Sequence, residues 1–123
     1  MLRQYVNDAV DQAIVTLLRS EVDDDGNPLS DNHSPHDVFI SIWMEFGSYI
    51  AAMLEDDRSW SIAKEKFSAK DFGHFFILSA KGYGSGFFSD DGGWGEDSLY
   101  LHDRAMTFGA PEVSIGLDGK IYI

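Results

Sequence analysis

Carboxylates are the residues of this 123-residue chain whose number and spacing point most directly to a chemical role. The formal net charge is −12, and residues 1–57 account for −10 of it. Four dense clusters stand out: Asp23-Asp24-Asp25, Glu55-Asp56-Asp57, Asp90-Asp91 and Glu96-Asp97. A surface of this sign repels nucleic acid and anionic lipid, because both are bound through Lys and Arg. We therefore expect no direct binding to nucleic acid or membrane, and an attraction to basic proteins.

Two interpretations of the four clusters are open. Runs of charge usually form a solvated surface that keeps a protein soluble. Alternatively, carboxylates along one face could mimic DNA, which presents one negative charge per about 1.7 Å of its axis. Charge count alone does not place the acids on one face. Trp94, which follows Gly92 and Gly93, is either an exposed contact for a partner or a lid folded onto the sheet.

Metal binding is the first chemistry that the acids suggest. The run that starts at Asp23 resembles the beginning of an EF-hand calcium loop. Pro28 stands where that loop needs Gly, and Ser34 stands where it needs a bidentate Glu. His33 and His36 lack a second pair of ligands and fit better as residues at a helix start. We therefore predict a solvated turn, and neither a metal nor a cofactor.

A glycine-rich run offers an alternative binding site for a small molecule or a metal. No helix and no Gly-Lys-Ser/Thr follows the run, so a phosphate-binding loop is not favoured, and glycines in a hairpin serve tight turns instead. The residues of this alternative site are Gly82, Tyr83, Gly84 and Gly86 with nearby His74, and Trp94 from the following loop.

The sequence gives little support for catalysis. Cys is absent, which excludes thiol chemistry and disulfides and fits a reducing compartment. There is no Gly-x-Ser-x-Gly elbow, and both His74 and His102 lie within apolar patterns where a histidine is more often a core residue. Carboxylates in solvated turns keep ordinary pKa values. We therefore expect a binding protein and not an enzyme.

Helical periodicity dominates the first half of the chain. Apolar residues repeat at intervals of three and four from Leu2 to Leu18, which predicts an amphipathic helix. Ser34 as cap and Pro35 at the first position predict a second helix, which Glu55-Asp56-Asp57 ends. That helix is apolar on most sides, so it is central or lies in an interface, and a structural role or a homodimer through it is a third hypothesis. A short third helix is predicted over Trp60–Phe67.

The second half changes to a mixed pattern. The predicted elements are strands His74–Ala80 and Ser85–Phe88, a helix Glu96–Phe108, and strands Glu112–Leu117 and Lys120–Ile123 around the turn Asp118-Gly119. The sequence thus predicts one α+β domain over residues 1–123. N-terminal helices precede a ββαββ unit, whose four-stranded antiparallel sheet carries helices packed on one face.

Several motifs of the second half resemble a family of small acidic bacteriophage proteins. The motifs are Gly73-His74-Phe75-Phe76-Ile77-Leu78, Gly82-Tyr83-Gly84-Ser85-Gly86-Phe87-Phe88 and Asp118-Gly119-Lys120-Ile121-Tyr122, with weaker likeness at Asp24–Leu29. The family carries Asp, Trp, His and Asp where this chain has Phe75, Ile77, Tyr83 and Ser89. We know of no established activity for the family, so the resemblance implies a phage origin and no reaction.

Charge and resemblance together predict a non-catalytic phage accessory protein in the cytoplasm of an infected bacterium. It would bind a host or defence protein through its acidic surface, as a DNA mimic in the sharper form of the hypothesis. The expected partner is a basic bacterial protein, of the kind that binds nucleic acid.

Overall fold

The computed structural model describes residues 2–81, 86–87, 95–109 and 113–122, and it is mostly helical. Two 3-10 turns, Leu29–Asp31 and Pro35–Asp37, accompany the regular elements. The elements are α1 (Leu2–Ser20), α2 (Ile40–Leu54), α3 (Asp57–Lys66), α4 (Ala69–Lys81), α5 (Gly95–Phe108), β1 (Ser114–Ile115) and β2 (Ile121–Tyr122). The prediction of a four-stranded α+β sheet is wrong, because β1 and β2 alone form a sheet in the described part of the chain.

Helices α1 and α4 pack side by side at the centre of the fold. The rings of Tyr5 and Phe72, near the start of each helix, meet edge to face at 5.8 Å. Glu21, just after α1, pairs with Lys81 at the end of α4, so the two helices run in the same direction. Gly73 lets them approach closely, since a Cβ there would lie 1.9 Å from the carbonyl oxygen of Ala9.

The segment His74–Ala80, predicted as a strand, lies within α4. The buried residues Phe72, Phe76 and Ile77 of this helix follow helical spacing. The Ser68 hydroxyl accepts a hydrogen bond from the Asp71 amide (3.1 Å) at the helix start. A short apolar run buried among other helices has no clear period of its own, so a strand and a helix segment look alike in sequence.

The returning strand predicted over Ser85–Phe88 is also wrong for its described residues. Gly86 and Phe87 form a turn. Of the turn predicted over Lys81–Gly84, Lys81 is the last residue of α4 and the other three residues lie outside the described ones. Phe87 is fully buried, with Phe67 and Phe72 ring centroids at 5.5 Å and 5.0 Å. This segment therefore seals the helical core and joins no sheet.

The start signal of the second helix belongs to a different element. The backbone amide of Ser34 donates to the Asp37 carboxylate (2.9 Å), which closes a 3-10 turn over Pro35–Asp37. Val38 then bridges to β2, and α2 begins only at Ile40. The acids predicted to end α2 have another role too, because Asp56 caps α3. Helix α3 consequently begins three residues earlier than predicted.

The predictions of helices α1 and α5 are confirmed. A C-terminal hairpin is present as well, but its strands have two residues each, whereas the sequence predicts Glu112–Leu117 and Lys120–Ile123. Ser114 pairs with Tyr122 and Ile115 with Ile121, in antiparallel register. Gly119 has φ +80°, which suits the tight turn between the strands. Ile121 is fully buried and ties the hairpin to the start of α2.

Helices α1 and α2 form an antiparallel pair. Val10 faces Gly47 near the middle of each helix, with 4.0 Å between Val10 Cγ2 and the position of a Cβ on Gly47. The ring of Trp60, in the helix that follows α2, meets the ring of Tyr5 near the start of α1 edge to face at 5.1 Å, so α2 ends where α1 begins. The segment after α1 and the segment after α2 therefore lie at opposite ends of the pair.

Candidate functional site

The residues Asp23–Asn27, here named the acidic turn, form a closed loop directly after α1. Asp23 Oδ1 accepts hydrogen bonds from the amides of Asp25 and Asn27, each at 2.9 Å. The Asp23 carboxylate is therefore occupied in shaping the turn. Asp24 and Asp25 are exposed and accept no such bond in the described structure, so they remain available to a partner. The predicted solvated turn is confirmed.

A groove of about 510 Å³ lies between the acidic turn and β1, and we name it the hairpin groove. One wall is a small hairpin, because Val22 bridges to Pro28 on either side of the acidic turn. The other wall is the C-terminal hairpin. The apolar lining comes from Val22, Leu29, Val113 and Ile115, and the carboxylates of the acidic turn complete it. Neither Lys nor Arg is among the described residues that line this groove.

The acids at positions 55–57 and 96–97 come together at the opposite end of the α1–α2 pair. Asp56 Oδ2 accepts hydrogen bonds from the Tyr100 hydroxyl (2.5 Å) and the Ser59 amide (3.1 Å). The hydrogen bond from Tyr100, with those from Ser59, holds the pKa of Asp56 below its ordinary value. Asp56 thus joins α3 to α5, and its carboxylate has internal partners.

Basic neighbours compensate the negative charge of Asp97. Its carboxylate lies 3.0 Å from Lys66 Nζ and 3.9 Å from an Arg58 guanidinium nitrogen. The Arg58 guanidinium also stacks over the Tyr100 ring, 4.1 Å from its centroid. Three acids of this end remain exposed without a salt bridge in the described structure: Glu55, Asp57 and Glu96. This end therefore mixes both signs of charge, whereas the lining of the hairpin groove does not.

The predicted acidic residues therefore form two separate groups. The acidic turn follows α1, and the 55–57 cluster follows the antiparallel α2, whose 15 residues span about 22 Å. Asp90 and Asp91 lie outside the described residues. The described members of the four clusters thus fall in two patches at the two ends of a helix pair.

The residues of the alternative site have different partners. Thr16 Oγ1 lies 2.9 Å from His74 Nδ1, and burial is the main cause that lowers the pKa of His74. Gly86 packs instead on Ser79: its φ is +47°, and a Cβ at this position would lie 1.9 Å from the Ser79 hydroxyl oxygen. Four other residues of this prediction, Gly82, Tyr83, Gly84 and Trp94, lie outside the described residues.

A serine–histidine pair missed by the sequence reading lies beneath Gly86. Ser79 Oγ is 2.9 Å from His102 Nδ1 and accepts a hydrogen bond from the Phe87 amide at 3.0 Å. Ser79 is fully buried, so its hydroxyl anchors the 86–87 turn and is closed to a substrate. No group of three metal-ligating side chains occurs among the described residues.

Comparison with known proteins decides nothing further. No protein-family model, no curated protein and no solved structure matches the chain. No helix within the described ranges is long and apolar enough to cross a membrane. The resemblance to phage proteins stays a prediction.

The hairpin groove is the feature that sequence reasoning did not find. Val22 and Leu29 on either side of the acidic turn gave a local signal for a short hairpin. Nothing local indicates that this hairpin faces β1, because more than 80 residues separate the two walls.

Proposed function

We propose that the protein is a non-catalytic accessory protein that binds a basic partner protein through its acidic surface. The observation that carries this proposal is the charge of residues 20–57, which include ten Asp and Glu and neither Lys nor Arg. The acidic turn lies in this stretch and presents Asp24 and Asp25 to solvent. Uncompensated charge of one sign raises the local concentration of oppositely charged partners and speeds their encounter.

The two acidic patches suggest how such a partner would be held. The more negative patch is the acidic turn, and the second patch combines Glu55, Asp57 and Glu96 with the cations around Asp97. A partner with basic regions that reach both ends of the α1–α2 pair would contact both patches, much as a protein that follows a DNA backbone contacts successive phosphates. We therefore propose a bacterial nucleic-acid-binding protein as the partner class, met in the cytoplasm of an infected cell, with the chain acting as a DNA mimic.

Affinity capture with a salt series tests this function. The immobilised protein is incubated with bacterial lysate, and bound proteins are eluted between about 0.05 M and 0.5 M salt, where screening of exposed charges changes most. We expect a retained protein with a pI above about 9 that duplex DNA displaces. A variant with Asp24→Asn, Asp25→Asn and Asp31→Asn should retain clearly less of the basic protein than the unmodified chain. Capture that is insensitive to salt, or capture of an acidic protein, would contradict the proposal.

A second candidate function is self-assembly through α2. Ile40 and Met44 are 66% and 67% exposed on the outer face of this helix, which is a large exposure for apolar side chains. Light scattering over a concentration series tests it. A dimer that Met44→Asp converts to a monomer would support this candidate, whereas a monomer at every concentration would exclude it.

A further inference from the structure

One edge of the C-terminal hairpin has no backbone partner in the described part of the chain. The Gly116 amide donates to the Lys120 carbonyl (2.8 Å), and Ser114 pairs with Tyr122. Hydrogen bonding alternates along an antiparallel ladder, so the amide and carbonyl of Ile115 point away from β2. Among the described residues, no backbone hydrogen bond fills that side of Ile115.

The other edge of the same hairpin is closed. The Phe39 amide donates to the Ile121 carbonyl at 2.8 Å, and Val38 bridges to Ile121 in parallel. The start of α2 thus covers β2, and the hairpin can accept a further strand only next to β1. An unpaired edge is a template for another extended chain.

The open edge borders the hairpin groove. Ile115 is 45% exposed and Val22, on the opposite wall, is 57% exposed, so both offer apolar contact area. Leu29 forms part of the same lining, and Asp24 and Asp25 give it a negative charge. Backbone groups, apolar surface and negative charge therefore meet at one place.

We propose that the hairpin groove binds an extended segment of the basic partner, which adds to β1 as a strand and places Lys or Arg beside the acidic turn. Strand addition draws affinity from main-chain hydrogen bonds and specificity from pockets for alternate side chains. Successive side chains of a strand point to opposite faces. A suitable segment therefore has basic residues at alternate positions, with β-branched residues between them. This inference rests on the proposed function and specifies which kind of segment of the partner the hairpin groove binds.

Charge complementarity selects this occupant. A carboxylate-lined groove without Lys or Arg in its described lining disfavours an acidic or neutral segment and stabilises a basic one. A second copy of this chain is a poorer occupant, because two surfaces with the same excess of acids repel each other.

The direct test uses a synthetic peptide and the isotope-labelled protein. The probe is a capped peptide of about eight residues that alternates Lys or Arg with Val, a length that spans the strand edge. We expect chemical-shift changes at Ile115, Val22 and Asp24, and slower hydrogen exchange of the Ile115 amide. A peptide with Glu in place of Lys and Arg should cause none of these changes. Absence of shifts with about 1 mM of the basic peptide would overturn the proposal.

Two pairs of variants separate strand addition from general attraction. Ile115→Pro removes the outward amide and should abolish peptide binding, while Ile115→Val keeps it and should bind normally. Asp24→Asn with Asp25→Asn should weaken binding about three- to tenfold, whereas Glu65→Gln with Asp103→Asn removes the same charge at exposed positions outside both patches and should leave it unchanged. Circular dichroism of each variant shows that the fold is retained.

Three other outcomes would overturn the groove as the docking site. They are peptide-induced shifts centred on α2, a dimer of the protein that Ile115→Pro dissolves, and a response of Asp24 and Asp25 to Ca²⁺ that excludes the peptide. The proposed function has a separate readout. If Ile115→Pro still captures the basic partner with the same salt dependence, the function stands and the groove proposal fails. If the unmodified protein captures no basic partner, the function itself fails.

Discussion

Replacing Gly73 with Ala should destabilise the protein more than adding one methyl group at any other helical position. The new Cβ would lie 1.9 Å from the Ala9 carbonyl oxygen and 2.8 Å from the Ala9 carbonyl carbon. Both atoms belong to the backbone of α1, so no side-chain rotation relieves the clash and α1 has to move away from α4. We expect a loss of about 3 kcal/mol in the free energy of unfolding, at the upper end for overpacked cores. Urea denaturation followed by circular dichroism measures it.

Gly47→Ala is the matched control for this prediction. Gly47 also lies inside a helix, but a Cβ there meets only Val10 Cγ2, at 4.0 Å. Ala restricts the unfolded chain and favours a helix, so this variant should gain about 0.5–1 kcal/mol. Equal stabilities for the two variants would contradict the close approach of α1 and α4.

The sequence predictions are accurate where the residues of an element determine its structure by themselves. They are wrong where contacts with distant parts of the chain determine it. Helix α1 carries its own apolar stripe, and Asp118-Gly119 specifies a turn by itself, so both were predictable. Helix α4 is different, because the residues that surround Phe76 and Ile77 come from elsewhere in the chain. Burial on several sides removes the polar positions that would have revealed helical spacing.

The sequence contains real capping signals, but they belong to other elements than the helix for which they were predicted. The pair of Ser34 and Asp37 closes a 3-10 turn, because Val38 is drawn into a bridge with Ile121 and interrupts the helix. The sequence predicts that Asp56 ends α2, but its side chain caps α3. A cap is local, but the element it serves depends on tertiary contacts on either side.

The acidic residues show the same division between local and tertiary information. Their number and clustering are properties of the sequence. The role of each acid depends on the tertiary structure, since Asp23 closes a turn, Asp56 joins two helices and Asp97 has two basic neighbours. Sequence could identify the candidates for a binding surface, but only the fold separates the carboxylates with internal partners from Asp24 and Asp25.

Breaking the ion pair of Glu21 and Lys81 should cause the second large loss of stability. It joins the ends of α1 and α4, immediately before Val22 and the acidic turn. The side chains are only 18% and 9% exposed, so each charge depends on the other for compensation. Lys81→Met would leave the Glu21 carboxylate poorly hydrated and without its partner. We expect a loss of about 3 kcal/mol in the free energy of unfolding, as for other buried pairs that lose one member.

The double variant Glu21→Gln with Lys81→Met decides whether the charge is the cause. Removing both charges also removes the unpaired one, so most of the stability should return, because replacing a buried pair by neutral groups is often close to neutral. A double-mutant cycle by urea denaturation measures the coupling energy of the two side chains. If the double variant is as unstable as Lys81→Met alone, the lost packing of the Lys81 side chain causes the loss of stability, and the unpaired charge of Glu21 does not.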